Sequence, residues 1–165
     1  MIFETERLQV RKLIFEDLKA FHKMQSNPKV MQFATGEVKT FEEHEIELKS
    51  LMKKYDKIDN DFWIYAIMRK KDEQFLETIA LVKDANDDEI GYRFLEEFWG
   101  LGYGLEVCQG LLRYCKSLKI NSLIAYAIDE NIASKKILEK LNFRKVKEFV
   151  SEDLGFPETK YEIIL

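Results

Sequence analysis

Cysteine, proline and histidine are scarce in this 165-residue chain, which has two of each. His22 and His44 offer no spacing suited to a zinc or other metal site. Cys108 and Cys115 fall seven apart on one predicted helix, about 10 Å along its axis, too far for a disulfide. They read as two small buried hydrophobes, in keeping with a reduced, metal-free, cytoplasmic protein. Neither charge sign dominates: 26 Lys and Arg against 30 Asp and Glu leave a net charge of −4. No Lys/Arg cluster marks a nucleic-acid surface. No apolar run approaches the roughly 18–20 residues that span a membrane. The opening Met1-Ile-Phe-Glu-Thr-Glu-Arg7 lacks the basic-then-apolar pattern of a secretion signal.

What is present has the composition and length of one ordinary folded domain over residues 1–165. Arg7 to Leu13 alternates as a strand. Phe15 to Gln25 is predicted helical, with Leu18, Phe21, His22 and Met24 near one face, until Asn27-Pro28 interrupts it. Thr40 and Glu43 form a capping box that opens a second helix running to about Tyr55. Phe62 to Met68 is an aromatic, β-branched strand. Thr78–Val82 and Ile90–Phe94 pair across a polar turn whose acids (Asp84, Asp87, Asp88, Glu89) read as a solvated hairpin tip. Residues 102–118 show a helical stripe of Leu105, Cys108, Leu111, Leu112, Cys115 and Leu118, with Glu106, Gln109, Arg113 and Lys116 facing away. Gly110 inside that helix costs about 1 kcal/mol against alanine, which suggests close packing there. Ser122 to Ile128 is a buried strand, and Asn131 starts a short helix with Ala133, Ile137 and Leu141 on one face. Asn142 sits where helices end left-handed, and Phe143–Val150 and Lys160–Leu165 are two final strands. The order β-α-α-β-β-β-α-β-α-β-β predicts an α/β (α+β) class, with a mixed sheet and helices on both faces.

The most informative segment is Trp99-Gly100-Leu101-Gly102-Tyr103-Gly104, three alternate glycines between a strand and a long helix. Glycine lets the main chain turn tightly and approach a ligand. The free amides at the helix start, near Leu101 to Leu105, favour an anion such as a phosphate. A dinucleotide fingerprint is excluded because Leu105 stands where its third glycine belongs. A P-loop is excluded because no Gly-Lys-Ser/Thr follows.

Several separated segments resemble the GNAT acetyltransferase superfamily, and within it the RimJ/RimL-like branch. These are Thr5-Glu-Arg-Leu-Gln-Val-Arg, Ser26-Asn-Pro-Lys-Val-Met, Glu89-Ile-Gly-Tyr-Arg-Phe with Phe98-Trp-Gly-Leu-Gly-Tyr-Gly-Leu-Glu, and Asn131-Ile-Ala-Ser-Lys-Lys-Ile-Leu-Glu-Lys-Leu-Asn-Phe. The resemblance spans nearly the whole chain. It implies a mostly antiparallel sheet of the acyl-CoA N-acyltransferase type and transfer of an acetyl group from acetyl-CoA to a primary amine, by direct attack in a ternary complex. The acceptor it implies is a protein N-terminus or a small molecule. The family's pyrophosphate pattern falls on Trp99, Gly102 and Gly104, so the resemblance assigns Trp99, Gly100, Leu101, Gly102, Tyr103, Gly104 and Leu105 to the coenzyme A pyrophosphate. It assigns Phe94 and Leu95 to the pantetheine arm, and Asn131 and Ser134 to pantetheine and thioester. A homodimer follows from fold analogy alone.

The chain also departs from the family pattern. Leu138 stands where many members carry a tyrosine acid, which leaves Ser134 as the donor to the leaving thiolate. Trp99 replaces the usual Arg/Gln, Asn142 replaces a glycine, and Thr78-Ile79-Ala80 lacks the glycine often found there. Glu96 and Glu97 read as a solvated turn, and no residue is assigned as general base. Those gaps leave open a second class, a non-catalytic acyl-CoA-binding sensor or interaction module on the same fold.

Overall fold

The computed structural model describes residues 1–34 and 38–165. Among them the strands are β1 (Phe3–Glu4), β2 (Leu8–Lys12), β3 (Phe62–Arg69), β4 (Gln74–Asp84), β5 (Asp87–Phe94), β6 (Ser122–Ile128), β7 (Arg144–Val150) and β8 (Pro157–Ile164). The helices are α1 (Leu18–Gln25), α2 (Pro28–Met31), α3 (Phe41–Lys54), α4 (Tyr103–Ser117) and α5 (Ile132–Lys140). The strands form one sheet in the order β1-β2-β3-β4-β5-β6-β8-β7. Every neighbouring pair is antiparallel except β5 and β6. A mixed, mostly antiparallel sheet with helices on both faces is therefore the fold.

Strand alternation decides which helix covers which face. Arg93 of β5 reaches Gln25 of α1. Its neighbours Tyr92 and Phe94 reach Ser134 of α5 and Gly104 of α4. Thus α1 and α3 cover one face, while α4 and α5 cover the other. Leu8, Ile67, Leu76, Ile79, Leu111 and Leu123 are fully buried between these layers.

Local chemistry explains the element ends. The capping box at Thr40 closes as the spacing requires: Thr40 Oγ1 accepts from the Glu43 amide at 3.2 Å, and Glu43 Oε2 from the Thr40 amide at 2.7 Å. Asn142 adopts φ +64° directly after α5. Gly110 is indeed tightly packed, since an added Cβ would stand 2.7 Å from both Phe3 and Thr5. Cys108 and Cys115 are free thiols in the core.

Other expectations need correction. The segment from Phe15 begins as a 3-10 turn, and the α-helix starts only at Leu18. The buried stripe of α4 is Val107, Cys108, Gly110, Leu111 and Cys115, with Tyr103 at its start. Leu118 is 49% exposed because the helix has ended before it. On α5 Ile137 and Leu141 pack on the core as expected and Leu138 joins them, whereas Ala133 is exposed. His22 lies on the helix face, where its Nδ1 meets Nδ1 of buried His44 at 2.8 Å.

Glu77 of β4 is fully buried, opposite Phe94, and neither carboxylate oxygen has a partner among the described residues. Desolvation raises its pKa well above the usual carboxylate range. A raised native pKa contributes stability that is full below the unfolded value of about 4.3 and lost as pH rises. Glu77→Met, which removes the unpaired carboxyl at similar volume, is expected to stabilise the fold by about 1–3 kcal/mol at pH 7. The gain should shrink toward pH 4, as urea denaturation of both proteins at the two pH values will show.

Candidate functional site

β5 and β6 share a single bridge, Glu89 to Ile124, and then part company. Two parallel strands that diverge leave their facing backbone groups without ladder partners, which opens a gap through the sheet. A cavity of about 800 Å³ occupies this gap. Gly91, Tyr92, Arg93 and Phe94 form one wall, and Ala125 to Ile128 form the other. The α4 start (Gly102, Tyr103, Gly104, Leu105) and α5 (Asn131, Ser134, Ile137) close it on one face of the sheet. Lys29, Val30, Gln32, Phe33 and Ala34 border it from the α1–α2 side.

The glycine segment has the backbone of an anion nest. Gly100 and Gly102 adopt φ +74° and +81°, in the left-handed region. Gly102 is also the residue that leads into α4. Its carbonyl accepts from Glu106 at 3.2 Å. Among the described residues, no protein acceptor takes the amides of Gly102, Tyr103, Gly104 or Leu105. Four N–H groups thus remain open at the positive end of a 15-residue helix beside a cavity. Gly104 allows close approach of layers: a Cβ there would stand 2.9 Å from Ile137 and 3.3 Å from Phe94.

Most residues singled out from the sequence meet at this cavity: Phe94, Trp99, Gly100, Gly102, Tyr103, Gly104, Leu105, Asn131 and Ser134. Trp99 donates from its indole to the Phe94 carbonyl at 2.9 Å, which ties the glycine segment to β5. Asn131 caps α5 by accepting from the Ser134 amide at 3.1 Å. Two residues are not brought to the cavity wall. The Leu95 amide is spent on the Leu76 carbonyl at 3.1 Å, and its side chain is buried. Leu101 is half exposed, and its carbonyl accepts from Arg7 at 3.1 Å.

The structure adds residues that the sequence did not single out. The hydroxyl of Tyr92 lies 3.0 Å from Ser134 Oγ, so a phenol stands beside the serine even though α5 carries Leu138. Burial holds the Tyr92 phenol protonated, well above its ordinary range. Lys136 and Lys140, one helical turn apart, line the cavity from α5. Their i, i+4 spacing after Asn131 was the available signal.

Glu89 is the main correction to the hairpin. The exposed tip is only Ala85 and Asn86, because Asp84 pairs directly with Asp87 across the turn. Asp84 accepts from Tyr126 at 2.6 Å, Asp87 pairs with Lys160 at 2.9 Å, and Asp88 pairs with Lys83 at 2.8 Å. Glu89 itself lines the cavity where β5 and β6 separate. Burial, with Asp84 and Glu158 nearby, pushes its pKa up to about 7. Glu96 and Glu97 are not free either, since they pair with Lys29 at 2.5 Å and Lys23 at 3.0 Å, fastening the turn before Trp99 to α1 and α2.

Known proteins share both the sequence pattern and this fold. The family model described as acetyltransferase (GNAT) domain matches residues 7–144. The chain is 29% identical over 148 residues to the uncharacterized N-acetyltransferase YnaD of Bacillus subtilis, covering 88% of this chain and 84% of that one. A GNAT-family acetyltransferase structure from Bacillus anthracis superposes with a TM-score of 0.86 at 25% identity, covering 98% of this chain and 97% of that one. Spermidine N-acetyltransferase from Vibrio cholerae, in complex with CoA and spermine, superposes with a TM-score of 0.80 at 18% identity, covering 96% and 95% of the two chains. A sheet that splits between β5 and β6, open helix-start amides at the split and a family match over most of the chain converge: this protein belongs to the GNAT acetyltransferase family.

Proposed function

We propose that residues 1–165 act as one acetyl-CoA-dependent N-acetyltransferase unit of the RimJ/RimL-like branch, transferring an acetyl group directly to a primary amine. The observation that carries this is the set of open amides from Gly102 to Leu105 facing the cavity between β5 and β6. Their N–H groups and the α4 dipole would hold a diphosphate, with Lys136 and Lys140 supplying countercharge at the same wall. The unpaired β5 edge beyond Glu89 would take the pantetheine arm by strand-like hydrogen bonds. Acetyl-CoA supplies an activated carbonyl and a thiol leaving group. Buried free Cys108 and Cys115 suit the reducing cytoplasm expected for such an enzyme.

A protonated amine has a pKa near ~10.4 and cannot attack until it loses its proton. Glu89, with its pKa pushed up to about 7 at the closed end of the split, is the group suited to accept that proton, directly or through one water. A backbone N–H of β5 polarises the carbonyl. The Ser134 hydroxyl, oriented by Tyr92, donates to the departing sulfur. The exposed edge strand β7 is a candidate surface for the homodimer that the fold suggests, and light scattering will test it.

A thiol-release assay against a panel of amines tests the reaction. We expect turnover with at least one amine class. Ser134→Ala should lower kcat about tenfold or more while acetyl-CoA affinity is largely kept, since Ser134 acts on the leaving group. Coenzyme binding with no thiol release for any acceptor, and no effect of Ser134→Ala, would instead identify a non-catalytic acyl-CoA sensor.

A further inference from the structure

Arg93 has no part in the chemistry above, yet it lines the cavity two residues beyond Gly91. It sits on the α1–α3 face of the sheet, the same face as Glu89 by strand alternation. One terminal nitrogen donates to Oε1 of Gln25 at 2.8 Å. Gln25 is itself buried and passes a hydrogen bond from Nε2 to Glu47 at 3.2 Å. Glu47 is also paired with Lys39 at 3.0 Å. The carboxylate facing Arg93 is therefore one residue removed and already shared. Among the described residues, no carboxylate forms an ion pair with Arg93.

An unpaired, largely buried guanidinium is costly. Burial disfavours its charge, but arginine stays protonated. Such a group, on a residue that lines a cavity, is a ready receptor for a carboxylate, which arginine binds in a two-pronged arrangement. Gln25 fixes the plane of the fork from behind. Glu89 lies four residues earlier on the same face, about 13 Å away along the strand. Asp84 and Glu158 add negative charge around Glu89. The face of β5 bordering the cavity is thus negative at the closed end of the split and positive at Arg93.

We propose that the acetyl acceptor is an amine that also carries a carboxylate, the carboxylate held by Arg93 and the amine lying between Arg93 and Glu89, its proton passing to Glu89 through water. This rests on the transferase function above and narrows its substrate. A free amino acid and a peptide with an acidic first residue both have the required chemistry. A polyamine is cationic at every ionisable position, and its second charge would meet Arg93.

Initial rates of thiol release from acetyl-CoA will test the proposal with matched acceptors. One arm sets free amino acids against their carboxamides, and the other sets peptides beginning with Asp against the same peptides beginning with Asn. Spermidine is run beside both. The expected result is a preference of at least tenfold in kcat/KM for the carboxylate-bearing member in one arm, and that arm identifies the source. Arg93→Gln should abolish the preference by raising KM for the carboxylate acceptor, with acetyl-CoA affinity by calorimetry unchanged. Arg93→Lys should keep part of it. Equal or faster turnover of the uncharged members in both arms, or of spermidine alone, would overturn the proposal and leave the transferase standing. Thiol release with none of the amines would overturn both.

Discussion

Replacing Glu89 with glutamine is expected to lower kcat by about two to four orders of magnitude, the usual worth of a positioned general base. Acetyl-CoA affinity should remain, since Glu89 stands at the closed end of the split, away from the open amides of Gly102 to Leu105. The pH profile separates this role from a structural one. A base with a pKa of about 7 is protonated, and idle, below that pH. In the natural enzyme kcat/KM should therefore climb tenfold per pH unit below 7 and level off above it. In Glu89→Gln that limb should vanish, because glutamine does not titrate. Steady-state rates from pH 5.5 to 9 measure both. An unaltered profile in the variant would remove Glu89 from the chemistry.

The second large effect concerns the phosphate end. Gly102 has φ +81°, a conformation that aspartate tolerates better than most residues with a side chain. A Cβ at Gly102 would meet only Arg7, at 3.5 Å, so Gly102→Asp has room for its side chain and costs only the strain of a left-handed backbone. The new carboxylate lands at the start of α4, among the four open amides, and repels a diphosphate. We expect acetyl-CoA to bind about 100-fold more weakly, a loss of about 2.7 kcal/mol, while circular dichroism shows the fold retained. Unchanged affinity would mean that the amides are not where the phosphates sit.

How much of this was readable beforehand depends on the range of the interaction. Local chemistry was legible. The Thr40–Glu43 capping box, the left-handed Asn142, the Asn131 cap and the Gly110 contact each depend on residues within one turn or on an unusual residue in place. β1 went unseen because its two residues are too few for any periodicity, and they hold their place against α4 through Gly110. α2, four residues long and opened by Asn27 and Pro28, falls below the length at which a helical stripe shows.

Glu89 was hidden for a different reason. Its sequence neighbours are turn acids, and only the bridge to Ile124, 35 residues later, places it at the head of the split. The same holds for Arg93, whose environment is set by Gln25 and Glu47 on helices far earlier in the chain. Leu95 shows the converse case. It lies beside the glycine segment in sequence, but its amide closes onto β4 at Leu76. The residues proposed to hold the coenzyme are close in sequence to one another, whereas Glu89 and Arg93, both on β5, take their surroundings from elements far away in the chain.

Isothermal titration of the purified protein with acetyl-CoA tests the central claim most directly. If the amides of Gly102 to Leu105 and the split between β5 and β6 form a coenzyme site, heat should be released with 1:1 stoichiometry and a Kd within about 1 μM to 1 mM, the usual range for enzyme substrates. Free coenzyme A should compete, because it carries the same diphosphate. No binding heat at millimolar acetyl-CoA, with the protein folded, would contradict the assignment of that cavity and the reaction built upon it.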